Sequence, residues 1–307
     1  MRIGIDLGGT KIEAIALADD DAAAGATLLR HRVPTPATGY TGILNAIVEL
    51  VAFAERKTRQ TGTVGIATPG AISVTGLLKN SNSTVLNGKP LDRDLESALG
   101  RPVRMENDAN CFALSEAVDG AAANTRVVFG VILGTGVGGG IVIDRRIHRG
   151  RSRIAGEWGH NPLPWPRADE LPGADCYCGK RGCIETFLSG AGLARDYLAR
   201  TGRRQTAAAI AEAAAAGDGA AKKCLELYED RLARSLASVI NVLDPDAVVL
   251  GGGLSNLSRL YAELPGLLAR YTFSAEAGTP ILRARHGDSS GVRGAAWLWP
   301  VAAGERS

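Results

Sequence analysis

A unit made of two apolar strands and a glycine-rich turn occurs twice in this chain, and it constrains the fold more than any other sequence feature. In the first unit, Gly8-Gly9-Thr10 separates the alternating apolar run 3–7 from the apolar stretch 12–17. In the second, a glycine-rich turn at 134–140 separates two further apolar runs. Alternation with a period of two is typical of strands, and stretches with helical spacing follow. Two such units more than a hundred residues apart predict two related α/β halves.

No flexible linker separates the two halves, so we predict that they pack closely across a cleft. The predicted smaller domain covers residues 1–115, and a C-terminal helix over 289–307 joins it. The predicted larger domain covers residues 116–288 and includes a loop at 156–185. The predicted fold class is therefore α/β, with two domains around a cleft.

Charge and hydropathy exclude several classes of protein. The chain has 307 residues, 35 basic and 32 acidic side chains, and 45% hydrophobic residues, which is too many for a disordered chain. A net charge of +3 without a clustered basic face does not indicate nucleic-acid binding, and the arginines at 145–146 and 149–151 are expected to be solvated surface. No apolar run approaches the ~18 residues that cross a bilayer, and the first residues do not form a signal peptide. We expect a soluble, cytoplasmic protein that binds neither nucleic acid nor a membrane.

The glycine turns are candidate phosphate sites. The run 134–139 matches the dinucleotide pattern G-x-G-x-x-G, but a strand follows it where that motif requires a helix, and no glycine loop ends in Gly-Lys-Ser or Gly-Lys-Thr. Backbone N–H groups at consecutive glycines can still form a concave nest for phosphate. Thr10 and Thr135 add hydroxyl groups and Lys11 adds a positive charge. Asp6 is placed to hold Mg²⁺, directly or through water.

A single glycine run would be explained equally well as a tight hairpin turn. A third run, Gly251-Gly252-Gly253, follows the apolar strand 247–250. Three runs, each directly after an apolar strand, favour phosphate binding over three incidental turns.

Three of the five cysteines, Cys176, Cys178 and Cys183, fall within eight residues. With His160 they offer a Cys₃His set, which suits a closed tetrahedral Zn²⁺ site. A redox pair is the competing interpretation, but its usual spacing is Cys-x-x-Cys, which is absent here. Four protein ligands leave no open position for chemistry, so we predict a structural metal. Because His160 follows Glu157 by three residues, fixing the imidazole would also fix that carboxylate.

Asn107-Asp108 lies where an apolar strand meets a helical pattern, at the position where open α/β sheets bind ligands. A carboxylate at that position can act as a general base, or it can cap the helix that begins there. The spacing alone leaves both roles open.

These motifs together resemble a known superfamily. Asp6-Leu7-Gly8-Gly9-Thr10-Lys11 and the two later glycine turns are similar to the phosphate and adenosine motifs of the actin-like ATPases, which have a ribonuclease H-like fold and include sugar kinases. Within that superfamily, Asn107-Asp108, Gly156-Glu157-Trp158-Gly159-His160 and the cysteine stretch 176–183 resemble the ROK family of sugar kinases, repressors and open reading frames. The likeness covers nearly the whole chain. The bacterial fructokinase (mannokinase-like) branch is the most similar, on the stretches 80–84, 159–165 and 286–294.

The resemblance implies ATP, Mg²⁺ and structural Zn²⁺, and it makes Asp108 the base that deprotonates a sugar hydroxyl at C6. The implied zinc ligands are His160, Cys176, Cys178 and Cys183, and Asp6 is the implied magnesium ligand. The residues implied to bind ATP are Gly4, Ile5, Asp6, Leu7, Gly8, Gly9, Thr10, Lys11, Leu133, Gly134, Thr135, Gly136, Val137, Gly138, Gly139, Gly140, Gly251, Gly252 and Gly253. The residues implied to bind the sugar are Gly70, Asn82, Asn107, Asp108, Glu157, His160 and Glu185.

The implied activity is ATP-dependent phosphorylation of a hexose. We expect D-fructose to be converted to fructose 6-phosphate, with mannose, glucose or N-acetylglucosamine as alternative substrates. A sugar-responsive transcription regulator without kinase activity is the rival within the family, but such regulators carry an N-terminal winged-helix segment, and the phosphate motif here begins at Gly4. An actin-like or chaperone-like ATPase that binds no sugar would not need Asn107-Asp108 beside Glu157. The resemblance also implies a homodimer.

Overall fold

The chain passes back and forth between two units, each with its own internal packing. The structure is a computed structural model, and it describes residues 1–19, 25–73, 75–81, 83–274, 278–287 and 290–299. Unit 1 comprises residues 1–123, 145–155 and the chain from 288 onward, and unit 2 comprises 124–144 and 156–287. The boundary predicted at residue 115 falls inside helix α3 (Asp108–Val118), which unit 1 keeps whole. Residues 145–155 lie in unit 1, although the sequence prediction includes them in the larger domain.

Unit 1 is built on a five-stranded sheet whose centre is the first glycine hairpin. β1 (Arg2–Leu7) pairs antiparallel with β2 (Lys11–Leu17) and parallel with β4 (Thr63–Thr68). β3 (Thr27–Pro34) pairs with β2, and β7 (Val103–Asn107) runs parallel to β4, so the strand order is β3-β2-β1-β4-β7. Because β1, β4 and β7 are parallel, their carboxyl ends lie at the same edge of the sheet.

Helices pack on both faces of β1. On one face α1 (Tyr40–Thr58) buries Ile43, Ile47, Leu50 and Ala54, as their helical spacing predicts, in the same core as Ile3 and Ile5. Successive strand residues point to opposite faces, so Gly4 meets a different helix, α9 (Ser290–Ala296). A helix is predicted over 289–307, and the structure has α9 over Ser290–Ala296. Asp288, Ser289 and residues 300–307 lie outside the described residues.

The remaining elements of unit 1 are short. They are α2 (Leu91–Leu99), the two-stranded hairpin of β5 (Ala71–Ile72) and β6 (Leu78–Lys79), β10 (Arg146–Ile147), and one turn of 3₁₀-helix at Thr84–Leu86.

Unit 2 repeats the plan of unit 1. β8 (Val127–Leu133) pairs antiparallel with β9 (Val137–Ile143) across the second glycine turn, and parallel with β11 (Ala247–Gly251). β12 (Ile281–Arg283) extends the sheet parallel to β11. In both units an antiparallel hairpin therefore has a parallel strand beside its first strand, in agreement with the α/β halves that the sequence predicts.

Five helices and three 3₁₀ segments complete the described part of unit 2. The central helix, α7 (Gly219–Leu243), buries Leu225, Tyr228, Leu232 and Leu236, whose spacing in the sequence is helical. It ends directly before Asp244-Pro245, because proline does not continue a helix. The others are α4 (Ile184–Leu188), α5 (Gly190–Thr201), α6 (Ala207–Ala215), α8 (Arg259–Leu268), and 3₁₀ turns at Trp158–His160, Ala168–Glu170 and Gly253–Asn256. Among the described residues, no helix is both long enough and apolar enough to cross a membrane.

We expect Gly4→Ala to lower the stability of the protein. A methyl group there would overlap the Val292 carbonyl oxygen and the Ala296 amide nitrogen, and overpacking of this kind typically costs about 1–3 kcal/mol. The matched control is Gly266→Ala, at an exposed position inside α8 where the added methyl group meets no atom within 4 Å. Alanine favours helix over glycine by about 1 kcal/mol, so this control should be neutral or stabilising.

Urea titrations followed by circular dichroism would compare the two variants. The midpoint of Gly4→Ala should fall below that of the unmodified protein, and the midpoint of Gly266→Ala should not. Equal midpoints would mean that α9 does not pack closely on β1.

Candidate functional site

The first glycine turn joins β1 to β2 at the edge where the parallel strands of unit 1 end. The Gly8 amide donates to the Lys11 carbonyl at 3.0 Å, and the Thr35 hydroxyl donates to the Gly8 carbonyl at 2.7 Å. Gly9, Thr10 and Lys11 are exposed. The base of the turn is thus held in place, while its tip is accessible to a phosphate ligand.

Three other residues predicted to contact ATP lie inside the sheet. Gly4, Ile5 and Leu7 belong to β1 and are buried. Their contribution in this structure is to hold the strand that carries the turn.

Asp6 lies at the carboxyl end of β1, close to a second carboxylate. Burial and the negative charge of Asp108 raise the pKa of Asp6 to about 7. A divalent cation would relieve this repulsion, and carboxylate oxygen is the ligand that Mg²⁺ prefers. The donor set therefore fits the predicted magnesium ion.

Asn107 caps the helix that begins at Asp108. Its side-chain oxygen accepts hydrogen bonds from the Ala109 amide at 2.9 Å and the Asn110 amide at 3.3 Å. The helix cap considered for Asp108 is therefore supplied by its neighbour. Asp108 is the first residue of α3, half-buried, and its Oδ1 accepts only from the adjacent Ala109 amide at 2.8 Å among the backbone amides of α3 that the structure describes.

A buried carboxylate stabilises the point where β7 ends and α3 begins. Glu106, at the end of β7, accepts a hydrogen bond from the Asn107 amide at 3.0 Å and another from the Asn110 side chain at 3.1 Å. The Arg149 guanidinium forms an ion pair with the same carboxylate. The stretch 149–151 is predicted to be solvated surface. Arg149 is exposed, but its ion pair also attaches residues 145–155 to the end of β7. Sequence reasoning missed this pair because the two residues are 43 positions apart.

Gly70 lies beside the same junction. Its carbonyl accepts a hydrogen bond from the Asn107 side-chain amide at 3.0 Å, and its φ of +83° favours glycine. Asn82, the other residue of this segment predicted to bind sugar, lies outside the described residues. In unit 1 the structure therefore brings together Asp6, Gly70, Asn107 and Asp108.

The second and third glycine turns lie together at one edge of the sheet of unit 2. β8 and β11 are parallel, with Ile132 opposite Gly251, so both turns leave from their carboxyl ends. Gly252 has a φ of +81°, and a methyl group on it would come within 2.5 Å of the Leu133 carbonyl. Thr135 and Gly253 are exposed beside this close contact.

The second turn is shorter than predicted, because β9 begins at Val137. Gly138, Gly139 and Gly140 are strand residues. A methyl group on Gly139 would come within 2.8 Å of the Gly156 carbonyl and of the Trp158 ring, and the Trp158 indole donates to the Gly138 carbonyl at 3.0 Å. Close packing against the 156–160 segment thus explains why glycine occupies this strand.

The three clustered cysteines and His160 come together in unit 2. The Cys176 sulfur lies 3.6 Å from Nδ1 of His160, and the Cys178 and Cys183 sulfurs are 3.6 Å apart. All four ligand atoms lie within 4.8 Å of one another. Two sulfurs bound at 2.3 Å to a tetrahedral ion stand about 3.8 Å apart, so the geometry fits zinc.

Backbone hydrogen bonds shape the loop that carries these ligands. The Cys176 amide donates to the Lys180 carbonyl at 2.8 Å, and the Leu163 amide donates to the Gly182 carbonyl at 2.9 Å. Gly179 and Gly182 both have positive φ, which allows the chain to reverse between Cys178 and Cys183.

Part of the 156–185 loop, before the cysteines, is held against α7 by ion pairs. Glu170 is buried and accepts hydrogen bonds from Arg231 at 2.8 Å and Arg234 at 2.7 Å. Although burial opposes ionisation, the hydrogen bonds from Arg234 and Arg231 lower the pKa of Glu170 to about 2. A buried ion pair therefore fixes part of the 156–185 loop against α7.

Tyr177 is a site residue that sequence reasoning missed. Its hydroxyl lies 2.9 Å from Nε2 of His160, and the two rings meet edge to face. Tyr177 is largely exposed, but desolvation beside the loop, followed by the charges of Glu185 and Glu157, raises its pKa to about 12. Both ring nitrogens of His160 are therefore engaged in this structure. The position of an aromatic residue between Cys176 and Cys178 is the signal that could have identified it.

Glu185 connects the cysteine cluster to the second glycine turn. It lies in the first turn of α4, two residues after Cys183, and its Oε2 accepts a hydrogen bond from the Val137 amide at 2.9 Å. Glu157 is exposed, directly before the 3₁₀ turn that contains His160. In unit 2 the structure therefore brings together His160, Glu185 and the three cysteines, with Glu157 at their margin.

Comparison with known proteins identifies the family. The sequence matches the profile of the ROK family over residues 2–302. N-acetyl-D-glucosamine kinases of Pasteurella multocida (strain Pm70) and Haemophilus influenzae (strain 86-028NP) are 44% and 42% identical, each covering 97% of this chain and 99% of the relative. The ROK hexokinase from Thermus thermophilus superposes with a TM-score of 0.85 at 34% identity, covering 96% of both chains. A ROK family glucokinase from Streptomyces griseus, in complex with glucose and AMPPNP, gives 0.76 at 31% identity, covering 97% of this chain and 98% of the other.

This chain belongs to the ROK family, and it has the actin-like ATPase fold of its structural neighbours. The comparisons support an ATP-dependent sugar kinase, with a sugar as its small-molecule substrate. They do not support the fructokinase-like branch, because the relatives described above are N-acetyl-D-glucosamine kinases, and this amino sugar is one of the alternatives named from the sequence. The homodimer stays a prediction.

We expect the purified protein to contain about one zinc ion per chain, held by the Cys₃His cluster. Cys178→Ser removes one ligand at an exposed position and should abolish most of this zinc. Cys224→Ala is the matched control, because Cys224 is buried in α7 outside the cluster, so its loss affects packing and leaves zinc content unchanged. Elemental analysis after dialysis measures both. Equal zinc content in the two variants would exclude the cluster as the metal site.

We expect the charge of Asp6 to make stability depend on pH. The pKa of Asp6 is about 7 in the folded protein against an ordinary value of 3.8, so its stabilising contribution is present below about pH 4 and is lost as the pH rises through 7. Asp6→Asn removes the charge and should stabilise the protein by more than about 1 kcal/mol at pH 8, since one pKa unit corresponds to about 1.4 kcal/mol.

Urea midpoints of the variant and the unmodified protein, measured from pH 4 to 8 in magnesium-free buffer, test this. The stabilisation should grow between pH 4 and 7 and then level off. A difference that does not vary with pH would show that Asp6 is already ionised in the folded protein at pH 4.

Proposed function

We propose that this protein transfers the γ-phosphate of ATP to the C6 hydroxyl of N-acetyl-D-glucosamine, with Asp108 as the general base. Two relatives of that printed activity, 44% and 42% identical over nearly the whole chain, support the substrate. The Streptomyces griseus glucokinase, at 31% identity, supports glucose as a second and weaker substrate.

The observation that carries the proposal is that two neighbouring residues at the end of β7 have different roles. Asn107 caps α3, so the carboxylate of Asp108 is not required for that purpose. A carboxylate that begins a helix at the end of a parallel strand lies where α/β folds bind their substrates. The positive end of the helix dipole also stabilises its negative charge.

In the proposed reaction the proton of the acceptor hydroxyl passes to the carboxylate of Asp108. The hydroxyl oxygen forms a bond to the γ-phosphorus, and the bond between that phosphorus and the ADP oxygen breaks. Positioning and charge neutralisation supply most of the acceleration in such transfers, and a general base contributes about 10²–10⁴. Magnesium held near Asp6 would neutralise phosphate charge.

The remaining predicted sugar residues suit a polyol. The carboxylates of Glu157 and Glu185 accept hydrogen bonds from hydroxyl groups, and an amide such as Asn107 both donates and accepts. The Asn107 amide group is already oriented by Gly70 and by the helix it caps. Zinc in the Cys₃His cluster would hold His160 and the start of α4, and through them Glu185.

The test is ADP release with MgATP and a panel of N-acetylglucosamine, glucose, mannose and fructose. N-acetylglucosamine should give the highest kcat/KM. Asp108→Asn should lower kcat by about 10²–10⁴ while MgATP still binds.

The matched control is Asp92→Asn. Asp92 lies in the first turn of α2, and its Oδ1 accepts from the amide of the next residue at 2.9 Å, as Asp108 does at 2.8 Å. Loss of a helix-terminal charge alone would affect both variants alike, whereas loss of a base affects only Asp108→Asn. Turnover highest on glucose would replace the substrate and keep the kinase, and ADP release that no sugar stimulates would overturn the proposal.

A further inference from the structure

A hydrogen bond links a residue predicted to bind sugar to a turn predicted to bind nucleotide. Oε2 of Glu185 accepts from the Val137 amide at 2.9 Å. Val137 is the first residue of β9 and directly follows the Gly134-Thr135-Gly136 turn. Both partners belong to unit 2, and the two residues are 48 positions apart. The family motif assigns Glu185 to the sugar, and this contact gives it a second role.

The turn is formed around this carboxylate. A methyl group on Gly136 would stand 2.7 Å from Oε2 of Glu185, so the carboxylate occupies the space that a side chain would need. The Gly134 carbonyl accepts a hydrogen bond from the Gly190 amide at 2.8 Å, just beyond α4. Within the turn the Gly134 amide donates to the Gly136 carbonyl at 3.0 Å. The segment that contains α4 therefore holds the turn at both of its ends.

Glu185 is itself held rigidly by the cysteine loop. The buried Cys183 precedes α4, and its carbonyl accepts the Thr186 hydroxyl at 2.7 Å. The Ile184 amide donates to the Asn161 carbonyl at 2.9 Å, one residue after His160. These contacts fix the first turn of α4 on both sides of Glu185, so its carboxylate meets the Val137 amide without a large entropic cost.

We propose that Glu185 is a positioning residue of the nucleotide site. Its Oε2 fixes the 134–136 turn in the conformation that receives the phosphates, and Oε1 makes no hydrogen bond within the described residues, so it is the oxygen that can accept from a sugar hydroxyl. One carboxylate thereby links the binding of both substrates. The inference rests on the proposed function, since it takes the turn as the phosphate site.

The test is isothermal titration calorimetry with MgAMPPNP in the absence of any sugar. Glu185→Ala leaves the Val137 amide without its acceptor and should raise the Kd for MgAMPPNP about tenfold, because a turn that is no longer held in place must be ordered when the phosphates bind. Glu185→Gln keeps a carbonyl acceptor and should have a smaller effect. Glu157→Ala is the control, because that carboxylate is also predicted to bind sugar but is exposed, and its side chain makes no hydrogen bond to the turn in the described structure.

A second variant tests the same contact from the other side. Gly136→Ala pushes a methyl group against Oε2 and should also raise the Kd for MgAMPPNP. Zinc content and thermal midpoint, measured on every variant, identify any that fails to fold. The inference is overturned when folded Glu185→Ala binds MgAMPPNP as tightly as the unmodified protein and loses only sugar affinity. Turnover of N-acetylglucosamine by the unmodified protein is measured separately, so a failure of the proposed function is seen there.

Discussion

Parallel strand pairing is the constraint on which the candidate site residues of both units depend. In unit 1 the parallel strands β1, β4 and β7 end at one edge, which brings Asp6 close to Asn107-Asp108. In unit 2 the parallel pairing of β8 with β11 brings the turn after Leu133 against Gly252. In each unit the return strand of an antiparallel hairpin requires a tight glycine turn at that same edge. Backbone hydrogen bonding between strands therefore determines which candidate site residues lie close together in each unit.

Charge is concentrated at the edge of unit 1 at a cost in stability. Burial and the negative charge of Asp108 both raise the pKa of Asp6, so ionisation of Asp6 is opposed in the folded protein. Glu106 adds a third carboxylate directly behind them, and Arg149 neutralises it. A fold selected for stability alone would gain by removing such a cluster. The proposed function accounts for its presence, because MgATP would bring a divalent cation to these carboxylates.

In unit 2 the cysteine cluster directly precedes the short helix α4. Four candidate metal ligands from residues 160–183 form the corner from which α4 and Glu185 extend. Tyr177 and the buried Glu170 hold the loop from two other sides. A metal with four protein ligands has no open coordination position, so it would act on catalysis only by fixing nearby carbonyls and carboxylates. We infer that it would stabilise the 134–136 turn through the carboxylate of Glu185.

The sequence by itself determined the features that depend on neighbouring residues. These are the strand–turn–strand units, the faces of α1 and α7, the end of α7 at Asp244, and the cysteine cluster, all visible as local periodicity or spacing. Only the tertiary structure decided that Asn107 caps α3 in place of Asp108 and that Gly139 packs against Trp158. It also decided that the exposed Arg149 pairs with Glu106 and that Glu170 belongs to a buried ion pair. The cap depends on the residue at which β7 ends and α3 begins. The other features depend on which distant segment fills the space beside a residue, and local spacing does not encode that. The choice between fructose and N-acetylglucosamine depends on the same kind of contact, because a 2-ketohexose and a 2-acetamido aldohexose present different groups to a pocket whose side chains come from distant parts of the chain.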